Sequence, residues 1–292
     1  MIIGIYSLRN HRYHPNRRLL EAARDLNHRA IIIHPKKLLM EVSDQGISTD
    51  SITRSLHVDV IMPRIGATIK DYALTMVRHF ELMGISVINN FESILLARNK
   101  LLTMQTLFHN GIPVPDSRYV SNRHNFKKAV SKFGTFPLVI KKPISRQGRD
   151  VSLVYSMEES RPLLDGSMNT GEGLLVQRFI PPEKRRDIRI LVVGEKAVGA
   201  MSLIPKKGDF RSNVHLNGRT KSLDPTEEMS TIAIKSTKAV GLDISGVDMI
   251  EEEDGTLRVI DVNYSPGFKG LERCTGKDIA GEIIRHVTQS VR

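Results

Sequence analysis

Two stretches near the end of the chain, 245-SGVDMI-250 and 257-LRVIDVNYSPG-267, decide how the rest is read. Both are short, apolar and β-branched, and they flank the acidic turn Glu251–Gly255. That pattern predicts an antiparallel hairpin. Asp261 and Asn263 are two positions apart, so they share one face of their strand, and Asp248 can reach that face from the neighbouring strand. Hard oxygen donors converging in this way suit Mg²⁺ bridging nucleotide phosphates. The plainer alternative is a set of strand-end acids beside a turn.

Upstream, the same arrangement recurs. Pro137–Lys141 and Val151–Tyr155 flank Ile144–Asp150, and Ile188–Val193 and Ala197–Ile204 flank Gly194–Glu195. Helical patterns at about 123–132, 225–240 and 278–290 interrupt these hairpins. The first ninety residues are organised differently. Strands are expected at Ile2–Tyr6, Ala30–Ile33, Val58–Met62 and Ile85–Ile88. They alternate with helices at Asn16–Leu26 and Ile69–Met83, the latter with Tyr72, Met76, His79 and Phe80 on one stripe. Such alternation predicts a small parallel α/β domain. One helix is expected over Glu92–Asn110, stopped by Gly111, Pro113 and Pro115.

Bulk properties exclude several classes. The 292 residues, enough for two or three small domains or one large one, are 40% hydrophobic and 26% charged, ordinary for a globular protein. No apolar run is long enough for a transmembrane helix. The opening MIIGIYSLRN reads as a buried strand rather than a signal peptide. The single cysteine, Cys274, allows neither an internal disulfide nor a cysteine metal cage. A cytoplasmic protein without membrane association is the expectation. There is no GxxxxGK[ST] or GxGxxG loop, no GxSxG elbow and no HExxH pair, so a nucleotide would have to be held by another design.

Net charge is +11, and the excess is concentrated. Between Lys184 and Lys221, ten Lys/Arg face three acids, giving +7. This is either a solvated basic face or a surface that gathers an anionic partner. Aromatic residues make up 5% of the chain and no RNA-module signature is present, so nucleic acid ranks second among such partners. Two further pieces carry chemistry. In FPLVIKK, 136–142, a lysine ends an apolar strand, a sensible place for a phosphate-binding cation. In GDFRSNVH, 208–215, Arg211 offers a planar fork for phosphate or carboxylate, with Ser212 and Asn213 as short polar neighbours. Each could equally be an ordinary surface feature.

Taken in order, these pieces resemble the RimK branch of the ATP-grasp family. The resemblance covers essentially the whole chain, through MPRIGATI (62–69), ARNKLLTMQTLFHNGIPVP (97–115), LVQRFI (175–180), DIRILVVG (187–194), GDFRSN (208–213), VGLDISGVD (240–248) and VNYSPGFKGLERCTGKDIA (262–280). It implies an α/β N-terminal domain over 1–95 and an α+β ATP-grasp unit of two lobes, 96–180 and 181–292. It also implies roles. Lys100 and Lys141 are similar to lysines that hold ATP phosphates, and Gln177, Arg178, Phe179 and Ile180 to a segment whose backbone reads adenine. Asp187 is similar to an acid near the ribose. Arg211, Ser212 and Asn213 resemble a triplet at the phosphates, with Arg211 and Asn213 at the reaction centre. Asp248, Asp261 and Asn263 occupy positions for Mg²⁺ or Mn²⁺, two ions by resemblance. The implied activity is ATP-dependent joining of a carboxylate to an amine through an acylphosphate. The implied amine is glutamate or another amino acid, and the implied acceptor an anionic protein or small molecule. Relatives act on a ribosomal protein C-terminus, methanogenic coenzymes and amino-group carriers. A homotetramer is also expected by resemblance.

Three positions depart from the family pattern. The loop PISRQGRDVSL, 143–153, has one glycine, Gly148, where relatives carry several, and Arg146 and Arg149 could supply charge instead. Arg178 stands where relatives often have Glu, and Asp261 where they usually have Glu. A nucleotide-binding regulator without ligase turnover therefore remains an alternative, as does an RNA- or ribosome-associated protein using the basic segment.

Overall fold

A computed structural model describes residues 1–49, 57–66, 71–144, 150–206, 210 and 219–291. The N-terminal strands β1 (Ile2–Tyr6), β2 (Arg29–Ile33), β5 (Val60–Pro63) and β6 (Ser86–Val87) form one parallel sheet in the order β2-β1-β5-β6. Helix α1 (His14–Asp25) covers one face with Leu19, Ala22 and Ala23. Helix α2 (Asp71–Leu82) covers the other with Met76, Val77 and Phe80. A small hairpin, β3 (Met40–Ser43) with β4 (Gly46–Thr49), is tied to α2 by a 2.8 Å hydrogen bond between His79 Nε2 and the Ser48 carbonyl.

Two antiparallel sheets follow. The first, in the order β7-β10-β8-β9, contains β7 (Ser117–Val120), β8 (Leu138–Lys141), β9 (Val151–Val154) and β10 (Leu174–Arg178). Helices α5 (Arg123–Phe133) and α6 (Met157–Thr170) pack on it around a separate core of Val120, Phe126, Ile140, Leu164 and Val176. The second sheet has the order β13-β12-β11-β14-β15 and contains β11 (Arg185–Val193), β12 (Lys196–Ile204), β13 (Arg219–Leu223), β14 (Ile244–Glu252) and β15 (Leu257–Asn263). Helix α7 (Glu227–Ala239) packs on one face against Ile188, Ile190, Val247 and Val259. On the other face, helices α8 (Lys269–Thr275) and α9 (Ile279–Ser290) cover Leu191, Val193 and Met201, and this core continues into Ile3, Ile5 and α1 of the parallel domain. Asn89 fixes the same junction. Its amide donates to the carbonyls of Ile244 (2.7 Å) and Tyr264 (2.9 Å), while its oxygen accepts from the backbones of Asp243 and Ile244.

Several expectations are corrected. The helix expected over 92–110 is two, α3 (Phe91–Arg98) and α4 (Lys100–His109). Asn99 breaks them apart: its backbone is extended, and its side-chain oxygen caps α4 at the amides of Leu101 and Leu102. Tyr72 leaves the buried stripe of α2 and is 47% exposed, its hydroxyl donating to the Leu38 carbonyl. Helix α6 had no sequence expectation, because Pro162, Gly166 and several Ser/Thr/Asn residues weaken its helical signal. The loop residues Arg146, Gly148 and Arg149 lie outside the described residues.

Candidate active site between the two antiparallel sheets

The register of the second sheet places three charged side chains in one lateral row. Arg189 pairs with Asp248, and Asp248 pairs with Asp261. A bulge falls between Asp248 and Met249, so Ile260 has no partner and Asp261 is aligned opposite Asp248. Asn263 lies two residues beyond Asp261 on the same face, opposite Gly246. Its side-chain oxygen accepts from the Ser265 amide at 2.9 Å, which fixes its rotamer. Arg189 holds Asp248 with a two-pronged contact, Nε to Oδ1 and Nη2 to Oδ2, both 2.6 Å. Burial pushes the Asp248 carboxyl up and Arg189 pulls it back, with a net rise. Burial pushes Arg189 down, but Asp248 and Asp261 outweigh it, and the guanidinium stays charged.

Cations approach from the first antiparallel sheet. Lys141 ends the apolar strand β8, half-buried between Leu175 and Val151. Burial lowers its ammonium to about 8, partly offset by Asp261 and Asp248 and reinforced by Lys100 and Arg185. Those four groups therefore lie near it. Lys100 begins α4, and its backbone amide donates to the Pro143 carbonyl, joining the helix start to the turn after β8.

The segment linking the sheets runs along the rim. Gln177 is buried and donates to Ser117 Oγ at 2.7 Å, while Ile180 is buried nearby. The amide of Arg178 is used by the Asp116 carbonyl. The Arg178 side chain turns outward and donates to both carboxylate oxygens of Glu252, at 2.9 and 3.0 Å, with Arg258 on the same carboxylate. The departure at 178 thus makes a bridge between β10 and β14. Phe179 stacks edge-on against Phe210, with centroids 6.0 Å apart.

Sequence reasoning missed Arg185 and Arg189. Arg185 donates to the Ile180 carbonyl, to the Phe210 carbonyl (2.7 Å) and to Asp187 (3.2 Å). It therefore joins the linking segment, the ribose candidate Asp187 and the residue preceding Arg211. The signal was available in principle: β11 begins at Arg185, not Ile188, so Arg185, Asp187 and Arg189 alternate onto one face. Arg211, Ser212 and Asn213 themselves lie outside the described residues.

The donor set fits a hard divalent cation. Two carboxylates face each other across the β14–β15 ladder with an amide oxygen beside them, and oxygen donors of this kind select Mg²⁺ over softer metals. Among the described residues no group of three or more His, Cys, Asp or Glu gathers, and here the third donor is the Asn263 amide oxygen. A metal would use the lone pairs of Asp248 that Arg189 leaves free.

A parallel N-terminal domain followed by two antiparallel sheets, with Lys141 of the first near Asp248 and Asp261 of the second, is the arrangement of an ATP-grasp protein. The solved structures agree: the RimK domain ATP-grasp protein from Sphaerobacter thermophilus DSM 20745 superposes with a TM-score of 0.77 at 21% identity, covering 98% of this chain and 99% of that one. The ATP-grasp ligase PsnB complexed with minimal precursor, Mg and ADP superposes at 0.75 and 16% identity, covering 100% and 97%. Family models match residues 1–94 as a RimK PreATP-grasp domain and 97–287 as a RimK-like ATP-grasp domain. The "Probable alpha-L-glutamate ligase" of Xanthomonas euvesicatoria pv. vesicatoria (strain 85-10) is 36% identical over 293 aligned positions, covering 100% of this chain and 99% of the relative. The chain belongs to the RimK-like ATP-grasp family, whose members are ligases that form C–N bonds using ATP and Mg²⁺. No helix among the described residues is long and apolar enough to cross a membrane.

Proposed function

We propose that this ligase activates a carboxylate with ATP and joins it to the amine of glutamate or another amino acid, on an anionic protein or small-molecule acceptor. The carrying observation is that Lys141, with Lys100 close to it, lies within electrostatic reach of the Asp248–Asp261 row. A site that gathers two lysines beside a pair of hard-oxygen acids is suited to a polyphosphate, which the lysines would touch directly and the acids would reach through metal. Residues 1–95 form the N-terminal domain of this reading, with 96–180 and 181–292 as the gripping lobes. The separate core of the 117–178 sheet supports such a division.

In this reading Lys100 and Lys141 hold the phosphates. The backbone of Gln177–Ile180 faces the adenine, Asp187 lies near the ribose, and Arg185 keeps that edge in shape. Arg211, Ser212 and Asn213 serve the transferring phosphoryl group. Asp248, Asp261 and Asn263 would hold Mg²⁺, two ions in this reading, which would supply charge neutralisation at the phosphate oxygens. The acceptor carboxylate attacks the γ-phosphorus and ADP leaves; the amine then attacks the acylphosphate carbonyl, phosphate leaves and the nitrogen loses a proton. Positioning and charge neutralisation supply the catalysis, so no side-chain nucleophile is required.

The test is mass spectrometry of reactions containing ATP, Mg²⁺, each amino acid in turn and a cell extract. A ladder of added residues on one component is the expected result. ATP binding without phosphate release under any combination would favour a nucleotide-binding regulator.

A further inference from the structure

Arg64, the first residue beyond β5, is a buried cation without a counter-ion among the described residues. It is 9% exposed. Its Nη2 donates to the Pro266 carbonyl at 2.6 Å, and its Nε is buried without a partner. The Phe268 ring lies 5.9 Å away; burial lowers the Arg64 guanidinium to about 10, and Tyr13 nearby raises it slightly against that. No carboxylate among the described residues pairs with it. Satisfying one carbonyl needs one N–H, and a neutral amide would serve; a guanidinium brings five donors and a charge. Burying that charge unpaired costs several kcal/mol, which makes a purely structural role a poor use of arginine.

Its position is informative. Strand β1 lies between β2 and β5, and the chain leaves β1 toward β2 on one side and reaches β5 on the other. In open parallel sheets, ligands bind at the carboxyl ends of strands where the order reverses in this way. Arg64 stands at that point, its amide bonded to the Tyr6 carbonyl at 2.8 Å. The loop 8–13 rises beside it from the end of β1, shaped by Asn16, whose amide donates to Ser7 Oγ and to the Arg9 and Asn10 carbonyls. The Asn16 side-chain oxygen is buried and unpartnered. The third wall is Pro266–Phe268. Pro266 packs on Gly246, where an added Cβ would meet it at 2.9 Å, and Gly246 pairs with Asn263. Pro266 follows Asn263 by three residues, so their Cα atoms are at most about 11 Å apart. An anion held at Arg64 therefore lies within reach of one small extended molecule from the metal face.

We propose that Arg64 anchors the carboxylate of the amino-acid substrate, the one that supplies the amine. The inference rests on the ligase reading above and adds to it the residue that selects that substrate. Such a substrate must offer its nitrogen to the acylphosphate while its own carboxylate is kept from the γ-phosphate. A planar fork at the end of β5 meets both needs.

The experiment titrates each L-amino acid and its primary carboxamide into the full-length protein held with Mg²⁺ and a non-hydrolysable ATP analogue. Arg64→Gln and Arg64→Lys are measured in parallel, with ligand-free melting temperatures. Wild type should bind at least one amino acid and reject its carboxamide. Arg64→Gln should lose about 100-fold or more in amino-acid affinity and keep its affinity for the ATP analogue. It should melt at or above the wild-type temperature, since an unpaired buried charge has been removed. Arg64→Lys should fall between the two in amino-acid affinity. Equal binding of acid and carboxamide, unchanged affinity in Arg64→Gln, or no amino-acid binding by wild type would overturn the assignment. So would a lowered melting temperature in Arg64→Gln that Arg64→Lys restores, which marks a structural tie. Failure of wild type to bind the ATP analogue would overturn the ligase reading first, and the anchor with it.

Discussion

Replacing Lys141 tests the site through two effects of opposite sign. Its ammonium sits at about 8 in the ligand-free protein, against 10.5 for an unburied lysine, chiefly because β8 carries it out of water. The folded value is the lower one, so the cost to stability is fully present below pH 8 and fades as pH rises toward 10.5. The difference corresponds to at most about 3 kcal/mol. Lys141→Met should therefore stabilise the ligand-free protein at neutral pH, by up to that amount, with the gain shrinking between pH 8 and 10.5. ATP binding should move the other way. If the phosphates need the charged form, wild type offers it in about three-quarters of molecules at pH 7.5 and about 3% at pH 9.5, so affinity should fall roughly 25-fold. Lys141→Arg, charged throughout, should lack this additional decline, and Lys141→Met should bind weakly at both values. Calorimetric titration of ATP at several pH values, with urea unfolding of the same proteins, measures both effects. A wild-type pH profile that coincides with that of Lys141→Arg, or a Lys141→Met protein less stable than wild type at pH 7, would refute the reasoning.

The remaining expectations concern the acids and their partners. Asp261→Asn should abolish Mg²⁺-dependent turnover while Asp261→Glu preserves or raises it, measured as phosphate release at limiting Mg²⁺; full activity in Asp261→Asn would remove this residue from the metal site. Arg189→Ala leaves the buried Asp248 without its fork, and loss of one partner of such a pair typically costs about 3–5 kcal/mol. Chemical denaturation should show that loss in chelator and a smaller one in Mg²⁺, whereas equal losses in both would argue against metal at Asp248. Arg211→Lys should keep most ATP affinity and lower turnover by about 10²–10³, the usual effect of losing one transition-state donor; an unchanged steady-state rate would make Arg211 an ordinary surface cation.

What the sequence determined by itself follows from local periodicity. The alternation in 257–263 placed Asp261 and Asn263 on one face, because side chains on a strand repeat every two residues wherever the strand lies, and the hairpin pattern left Asp248 able to reach that face from the neighbouring strand. The parallel N-terminal domain was legible from strands alternating with helices, and the ordered motifs carried the family. Local pattern failed where the chain's own signals conflict. Asn99 ends one helix and caps the next within an otherwise continuous helical run, and Pro162 sits inside a helix. Tertiary structure decided which distant charges meet. The fork from Arg189 to Asp248 depends on the β11–β14 register across 59 positions, and the bulge at Ile260 sets which residue faces Asp248. In sequence Arg185 is one more charge in a basic run, and only the start of β11 there brings it to the Ile180 and Phe210 carbonyls. Arg64 could be read in sequence only as part of a motif. That it is buried, bonded to Pro266 from 202 positions away and lacking a counter-ion among the described residues is a property of two domains packed together. Desolvation and long-range pairing depend on what surrounds a group, and that is fixed only when the sheets come together.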